Sequence, residues 1–165
     1  MVVVVMGVSG AGKSTFGAAL AQALGWDFQE GDALHPPANV AKMCAGIPLD
    51  DADRAPWLAR VAGWIADHAQ RRRPGVISCS ALKRAYRDYL RAAAPGWRLV
   101  YLRAPRAELL RRVREREHFM PVSLLDSQLQ TLEEPSMDEH ALVLDATLPV
   151  AALVERAIRA GGRES

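Results

Sequence analysis

The chain has 165 residues, of which 50% are hydrophobic and 24% charged, a balance typical of one globular domain and unlike a disordered segment. Its 21 basic and 19 acidic residues leave a net charge of +2, which is low for a dedicated nucleic-acid-binding protein, so we expect no nucleic-acid partner. The apolar opening at residues 1–6 is too short to span a membrane and lacks the features of a signal peptide. We therefore expect a cytoplasmic protein with no membrane partner.

Short apolar runs alternate with stretches of helical periodicity along the chain. Residues 2–6 form an uninterrupted apolar run, which predicts a strand buried on both faces, and a helix is predicted from Ser14 to a stop at Gly25. Further strands are predicted around residues 26–29, 76–79, 99–102 and 142–144, and further helices over 39–45, 57–69, 83–93, 106–116 and 150–160. This alternation predicts an α/β fold with three layers, α/β/α, around a parallel sheet of about five strands. Two stretches, 31–56 and 117–121, interrupt the alternation and are predicted to contain loops that close over a ligand.

A phosphate-binding loop is the strongest motif in the chain. It follows the first predicted strand, opens the first predicted helix, and matches the pattern G-x-x-x-x-G-K-[ST] with the residues Gly7, Val8, Ser9, Gly10, Ala11, Gly12, Lys13 and Ser14. Glycines let successive N–H groups point at a phosphate, and the helix N-terminus adds a positive dipole end. Lys13 would reach the β- and γ-phosphates of ATP, and the Ser14 hydroxyl would hold Mg²⁺.

The absence of two sequence features narrows the class of phosphate-loop protein to which the chain can belong. No Asn-Lys-x-Asp guanine signature occurs, which disfavours a GTPase. A motor or transporter ATPase would carry a strand that ends in Asp, whereas the strand around residues 76–79 ends in small polar residues. The sequence therefore favours a small kinase whose acceptor site lies at the strand ends.

The chain resembles the gluconokinases over nearly its whole length. Besides the phosphate loop, the resemblance rests on the residue strings 30–36, 46–58, 79–83 with 86–87, and 118–121, and on Asn39 with Lys42 and Met43. It implies a single P-loop kinase domain over residues 1–165 with a small lid around 112–121. It also implies ATP-dependent phosphorylation of D-gluconate to 6-phosphogluconate, which would feed the pentose phosphate pathway or the Entner-Doudoroff pathway, with ATP and Mg²⁺ as cofactors.

Residue roles follow from these strings. Lys13, Asp32 and Arg116 are expected to be catalytic. Asp32 can orient the attacking hydroxyl and accept its proton, or help to position Mg²⁺, while the two cations neutralise the transferring phosphoryl group. Thr15 and Arg112 join the phosphate loop in ATP binding, with Arg112 against the adenine. A sugar acid needs cations and hydrogen-bonding groups, and the expected acceptor-binding residues are Asp32, His35, Arg54, Ser80, Lys83, Arg87 and His118.

Three alternatives stay open at this point. The acceptor could be shikimate or a different sugar acid, which a panel of acceptors would separate. In a different class of function, the chain could be an ATP-gated switch that binds nucleotide without acceptor-stimulated turnover. Family members are often homodimers, and the apolar pattern alone does not identify a subunit interface.

Overall fold

The central sheet contains five parallel strands, as the sequence predicts: β1 (Val2–Met6), β2 (Asp27–Glu30), β3 (Gly75–Ser78), β4 (Arg98–Arg103) and β5 (Leu142–Asp145). Their order across the sheet is β2-β3-β1-β4-β5. This computed structural model describes residues 1–115 and 121–162. Because the strands are parallel, the loops that follow β1, β2 and β3 all leave the sheet at the same carboxyl edge, where open α/β sheets bind their ligands.

Helices cover both faces of the sheet. Within the described residues they are α1 (Lys13–Leu24), α2 (Pro37–Cys44), α3 (Asp51–Gln70), α4 (Arg84–Ala93), α5 (Arg106–Glu115), α6 (Val122–Thr131) and α7 (Val150–Gly162). Alternate side chains of β1 enter two separate cores: Val3 and Val5 pack with residues of α1, α5, α6 and α7, and Val2 and Val4 pack with residues of α3 and α4. The predicted three-layer arrangement is confirmed.

Helix α3 begins earlier than the sequence analysis predicts. Its predicted start is Trp57, yet the helix begins at Asp51 and contains Pro56. Asp50 and Asp53 form a capping box, in which each side chain accepts the backbone N–H of the other residue. This box satisfies the first donors of the helix, and it offsets the cost of a proline inside the second turn. The longer helix reaches the carboxyl edge of the sheet.

A second unpredicted element is the 3-10 turn at Gly31–Leu34, which follows β2 directly. It lies inside the stretch that the sequence analysis treats as an interruption, together with α2 and the first turn of α3. No helix in the described parts of the chain is long and apolar enough to cross a membrane.

Candidate active site

The phosphate loop connects β1 to α1 and depends on glycine at its turning points. Gly10 and Gly12 have φ values of +86° and +90°, a region that residues with a Cβ rarely adopt. The Lys13 ammonium donates to the Val8 carbonyl at 3.1 Å, so it lies across the loop. Ser14 and Thr15 are exposed in the first turn of α1, with the dipole end of that helix beside them.

The turn after β2 places Asp32 close to this loop. At Gly31 the chain passes so near β3 that a Cβ there would lie 1.8 Å from the Ser78 carbonyl oxygen. The Gly31 N–H donates to Ser78 Oγ at 3.1 Å, and the Trp57 indole N–H donates to the Gly31 carbonyl at 2.8 Å. Asp32 follows at once, with 63% of its side chain exposed. The backbone before this carboxylate is therefore held from two sides, while the carboxylate itself can reach a ligand.

His35 is held in one tautomer. Asn39 Nδ2 donates both to the Asp53 carbonyl at 2.8 Å and to His35 Nδ1 at 3.1 Å, so Nδ1 is an acceptor and the ring proton is on Nε2. That nitrogen lies 4.0 Å from Asp32 Oδ1. The ring stacks on Trp57, with centroids 4.3 Å apart. Burial lowers the pKa of His35, although the nearby Asp32 charge opposes that shift. His35 is thus a neutral N–H donor at neutral pH.

Arg54 brings a positive charge to the same region. Its Nη1 donates to the Tyr86 hydroxyl at 3.0 Å, and that hydroxyl donates in turn to Asp51. The ammonium of Lys83 also donates to Asp51 Oδ1, at 2.9 Å. Hydrogen bonds from Tyr86 and then Lys83 hold the pKa of the Asp51 carboxyl below its usual value. The network fixes the guanidinium of Arg54 while leaving it at the cavity wall.

These elements enclose one cavity at the carboxyl edge of the sheet. The predicted site residues that line it are Ser9, Lys13, Asp32, His35, Arg54 and Ser80. Its volume is about 60 Å³, well below the roughly 300 Å³ at which ligand pockets usually begin. The outer wall is formed by Met43, residues 47–49 and α6, and a Cβ on Gly46 would lie 3.4 Å from Cγ of Pro121, the residue before α6. The cavity as it stands is therefore too small for a sugar acid, and its walls must move apart to admit one.

Two predicted acceptor-binding residues do not line this cavity. Lys83 caps α4 and pairs with Asp51 outside it. Arg87 is 0% exposed, because its guanidinium is turned inward to Glu139 and to the Ala81 and Leu82 carbonyls. Acidic partners from other elements hold both basic side chains, and the direct contacts predicted for them stay predictions.

Arg112 braces the phosphate loop from α5. Its guanidinium donates to the Gly10 carbonyl at 3.2 Å, to the Ala146 carbonyl at 2.6 Å and to Glu108. It thus links the loop to the segment after β5. The adenine contact predicted for it stays a prediction, and Arg116 and His118 of the predicted lid lie outside the described residues.

A much larger cavity, about 600 Å³, lies at the opposite edge of the sheet. Its lining comes from the beginnings of β1, β4 and β5 together with α1 and α7, and it contains none of the predicted site residues. Size alone therefore does not locate the chemistry in this fold. The small cavity, which gathers charged and polar side chains from separate parts of the chain, is the better candidate.

Comparison with known proteins places the chain in a family. A family model described as an AAA domain matches residues 2–135. The gluconokinase of Gluconobacter oxydans is 50% identical over 157 residues, covering 94% of this chain and 88% of that protein. The thermosensitive gluconokinase of Escherichia coli is 41% identical, covering 93% of this chain and 83% of that protein. A solved gluconokinase from Sinorhizobium meliloti superposes with a TM-score of 0.89 at 50% identity, over 98% of this chain and 91% of that one. The chain belongs to the gluconokinase family. Its activity is the ATP-dependent phosphorylation of gluconate.

Three cavity or support residues were not identified from the sequence. Gln128 of α6 lines the cavity and accepts the Ser9 N–H at 2.7 Å through Oε1. Asn39 orients His35, and Trp57 is 1% exposed and also lines the cavity. Asn39 belongs to the residues that carry the family resemblance but was given no role there, whereas Gln128 occupies an ordinary helical position with no motif, so only three-dimensional proximity reveals it.

Proposed function

We propose that the chain phosphorylates the terminal hydroxyl of D-gluconate within the cavity between the phosphate loop and α3. The observation that supports this most is the convergence of Lys13, Asp32 and Arg54, from three separated segments, on one cavity. This transfer needs a cation to bind the carboxylate of gluconate, a protein carboxylate to orient its hydroxyl, and a phosphate loop to hold ATP.

The nucleotide would be held by the loop and the start of α1. Backbone N–H groups and the helix dipole bind the phosphates, and Lys13 leaves the Val8 carbonyl to neutralise the β- and γ-phosphates. We propose Mg²⁺ as the cofactor, with the exposed Ser14 hydroxyl as its protein ligand. The described residues contain no group of three His, Cys, Asp or Glu that could hold a metal, which suits a cation carried mainly by phosphate and water oxygens. When bound, the ion neutralises charge on the transferring phosphoryl group.

The acceptor would be oriented by residues on the opposite wall. Asp32 accepts a hydrogen bond from the attacking hydroxyl, aligns it with the γ-phosphorus and takes its proton as the transfer proceeds. Arg54 binds the gluconate carboxylate. His35, with its proton on Nε2, donates to a hydroxyl, and Ser80 supplies a further polar contact. Closure of the walls excludes water, which would otherwise compete as the acceptor.

The predicted lid completes the proposal. Arg116 is proposed to clamp the transferring phosphoryl group, His118 to contact the acceptor, and Arg112 to lie against the adenine. A cytoplasmic location and a homodimeric assembly are also proposed. The location rests on the sequence features described above, and the assembly rests on the family resemblance alone. Size-exclusion chromatography with light scattering tests the assembly.

The function is tested by ADP release from Mg²⁺-ATP with D-gluconate, shikimate, other sugar acids or no acceptor. Stimulation by gluconate alone is the expected result. Stimulation by another acceptor would overturn the acceptor assignment, and nucleotide binding without any stimulation would favour an ATP-gated switch. Asp32→Ala should keep ATP binding while kcat falls at least about a hundredfold. Retention of most of the wild-type kcat would refute the role given to Asp32.

A further inference from the structure

The turn that follows β3 contains an unusual backbone conformation beside the acceptor cavity. Ala81 has a φ of +44° and is completely buried. Residues with a Cβ adopt this left-handed region rarely, and they keep it only where the surroundings hold them. Ser80 and Leu82, on either side of Ala81, both line the cavity. The shape of the cavity wall therefore depends on whatever holds Ala81.

Arg87 holds this turn from the inside. Its Nη1 donates to the Ala81 carbonyl at 2.8 Å and to the Leu82 carbonyl at 3.3 Å. The backbone N–H of Glu133 donates to the same Leu82 carbonyl at 2.8 Å. The carbonyls of the left-handed residue and of the residue that follows it are thus bound by groups outside the turn.

Glu139 in turn holds Arg87. Its carboxylate accepts from Arg87 Nε at 2.7 Å and from Arg87 Nη2 at 3.1 Å, in a two-pronged pair. Arg91 Nη2 and the Ser136 N–H each donate to it at 2.9 Å. Only 1% of the Glu139 side chain is exposed. Burial by itself would raise the pKa of Glu139, but hydrogen bonds from Arg87, Ser136 and Arg91 outweigh it and lower the pKa to about 2. The carboxylate is charged at any working pH.

A buried ion pair is a weak source of stability, because desolvation offsets most of the attraction between the charges. Apolar residues of similar volume would fill the same space about as well. What they could not do is donate to two backbone carbonyls from a fixed direction, which the planar guanidinium does. The pair is therefore better suited to fixing the shape of the turn than to stabilising the fold.

We propose that Arg87, held by Glu139, is a positioning residue for the acceptor: it keeps the left-handed turn at Ala81, and with it the cavity wall at Ser80 and Leu82, in the shape that binds gluconate. This inference rests on the proposed acceptor site. It replaces the expected direct contact between Arg87 and substrate with an action through the backbone of the turn.

The test removes the ion pair without leaving a lone buried charge. The double variant Arg87→Met with Glu139→Leu should fold, since neither charge is left without its partner. Its KM for gluconate should rise at least about tenfold, because the wall that contacts the acceptor loses its fixed position. Its KM for ATP should change by less than about twofold, since the phosphate loop lies on a different connection of the sheet.

Arg84→Met is the matched control. Arg84 lies on the same helix and pairs with Asp138, next to Glu139, at 2.5 Å, but its side chain is 39% exposed and it does not reach the turn. Both kinetic constants should stay unchanged in this variant. Equal rises in the two KM values of the double variant, or no rise for gluconate, would overturn the proposal.

Two further readouts keep the outcomes separate. If the double variant does not fold, Glu139→Gln replaces it, because the amide keeps a hydrogen-bond acceptor opposite Arg87. This variant should raise the KM for gluconate by about threefold or more and leave the KM for ATP unchanged. An unchanged KM for gluconate would again overturn the proposal. Wild-type protein that shows no gluconate-dependent turnover would refute the proposed function itself, whatever the variants do.

Discussion

Trp57→Phe tests whether the core of α3 and the position of Asp32 depend on one indole. In the wild type, the Trp57 N–H donates to the Gly31 carbonyl at 2.8 Å, and the ring stacks on His35. Phenylalanine keeps most of the stacking and removes the donor. The Gly31 carbonyl then lies buried without its hydrogen bond, which costs about 1–3 kcal/mol. The smaller ring leaves a cavity that adds about 1 kcal/mol.

The expected loss of unfolding free energy is therefore about 2–4 kcal/mol, measured by urea denaturation followed by far-ultraviolet circular dichroism. Activity should also fall, because the Gly31 carbonyl is one of the groups that hold the backbone before Asp32. We expect kcat for gluconate phosphorylation to fall at least about tenfold, in the assay for ADP release.

Trp64→Phe is the control on the same helix. Trp64 stacks on His68, with centroids 3.8 Å apart, far from the cavity lining. This variant should lose some stability and keep the wild-type kcat. The reasoning would be refuted if Trp57→Phe cost less than about 0.5 kcal/mol or matched the kcat of the control.

Three further predictions concern other parts of the molecule. Gly31→Ala should destabilise the fold by at least about 2 kcal/mol, because the new Cβ would lie 1.8 Å from a β3 carbonyl oxygen. Gly63→Ala is the control inside α3, where the new Cβ would have open space, and it should stabilise the fold by about 0.5–1 kcal/mol. Urea denaturation of both variants measures the difference. Gln128→Ala should lower the Kd for ATP about fivefold in calorimetry, because it frees the Ser9 N–H for phosphate; weaker binding would show that this N–H is not used. Because the pKa of Glu139 is lowered from 4.5 to about 2, its ionised form is favoured in the folded protein, so stability should fall as the pH drops from about 4.5 toward 2. Glu139→Gln should flatten that acid loss in urea titrations, and identical pH profiles would contradict this pH dependence.

The elements that were predicted correctly from the sequence are those that depend on residues close together along the chain. The apolar run of β1 and the phosphate loop after it are contiguous, so their structure follows from neighbouring residues alone. The roles of Arg87 and Lys83 were not predictable in this way. Each is a basic residue in the expected place along the chain, but Glu139 lies 52 residues after Arg87 and turns it inward.

The start of α3 shows a second limit of sequence reasoning. Pro56 suggests a break in the helix, and a lone proline inside a helix usually is one. Here the capping box between Asp50 and Asp53 supports the first turn, so the helix continues through the proline. Two local signals conflict in the sequence, and the structure shows which one prevails.

The small volume of the cavity has a practical consequence for crystallography. The space beside residues 47–49 and α6 is only about 60 Å³, so a sugar acid fits there only after the walls move apart. In a crystal grown from this form, lattice contacts would oppose that separation, and gluconate soaked into it would stay out or crack the crystal. Growing crystals from protein already mixed with gluconate and a non-hydrolysable ATP analogue avoids the obstacle, because the walls then close around the ligands before the lattice forms.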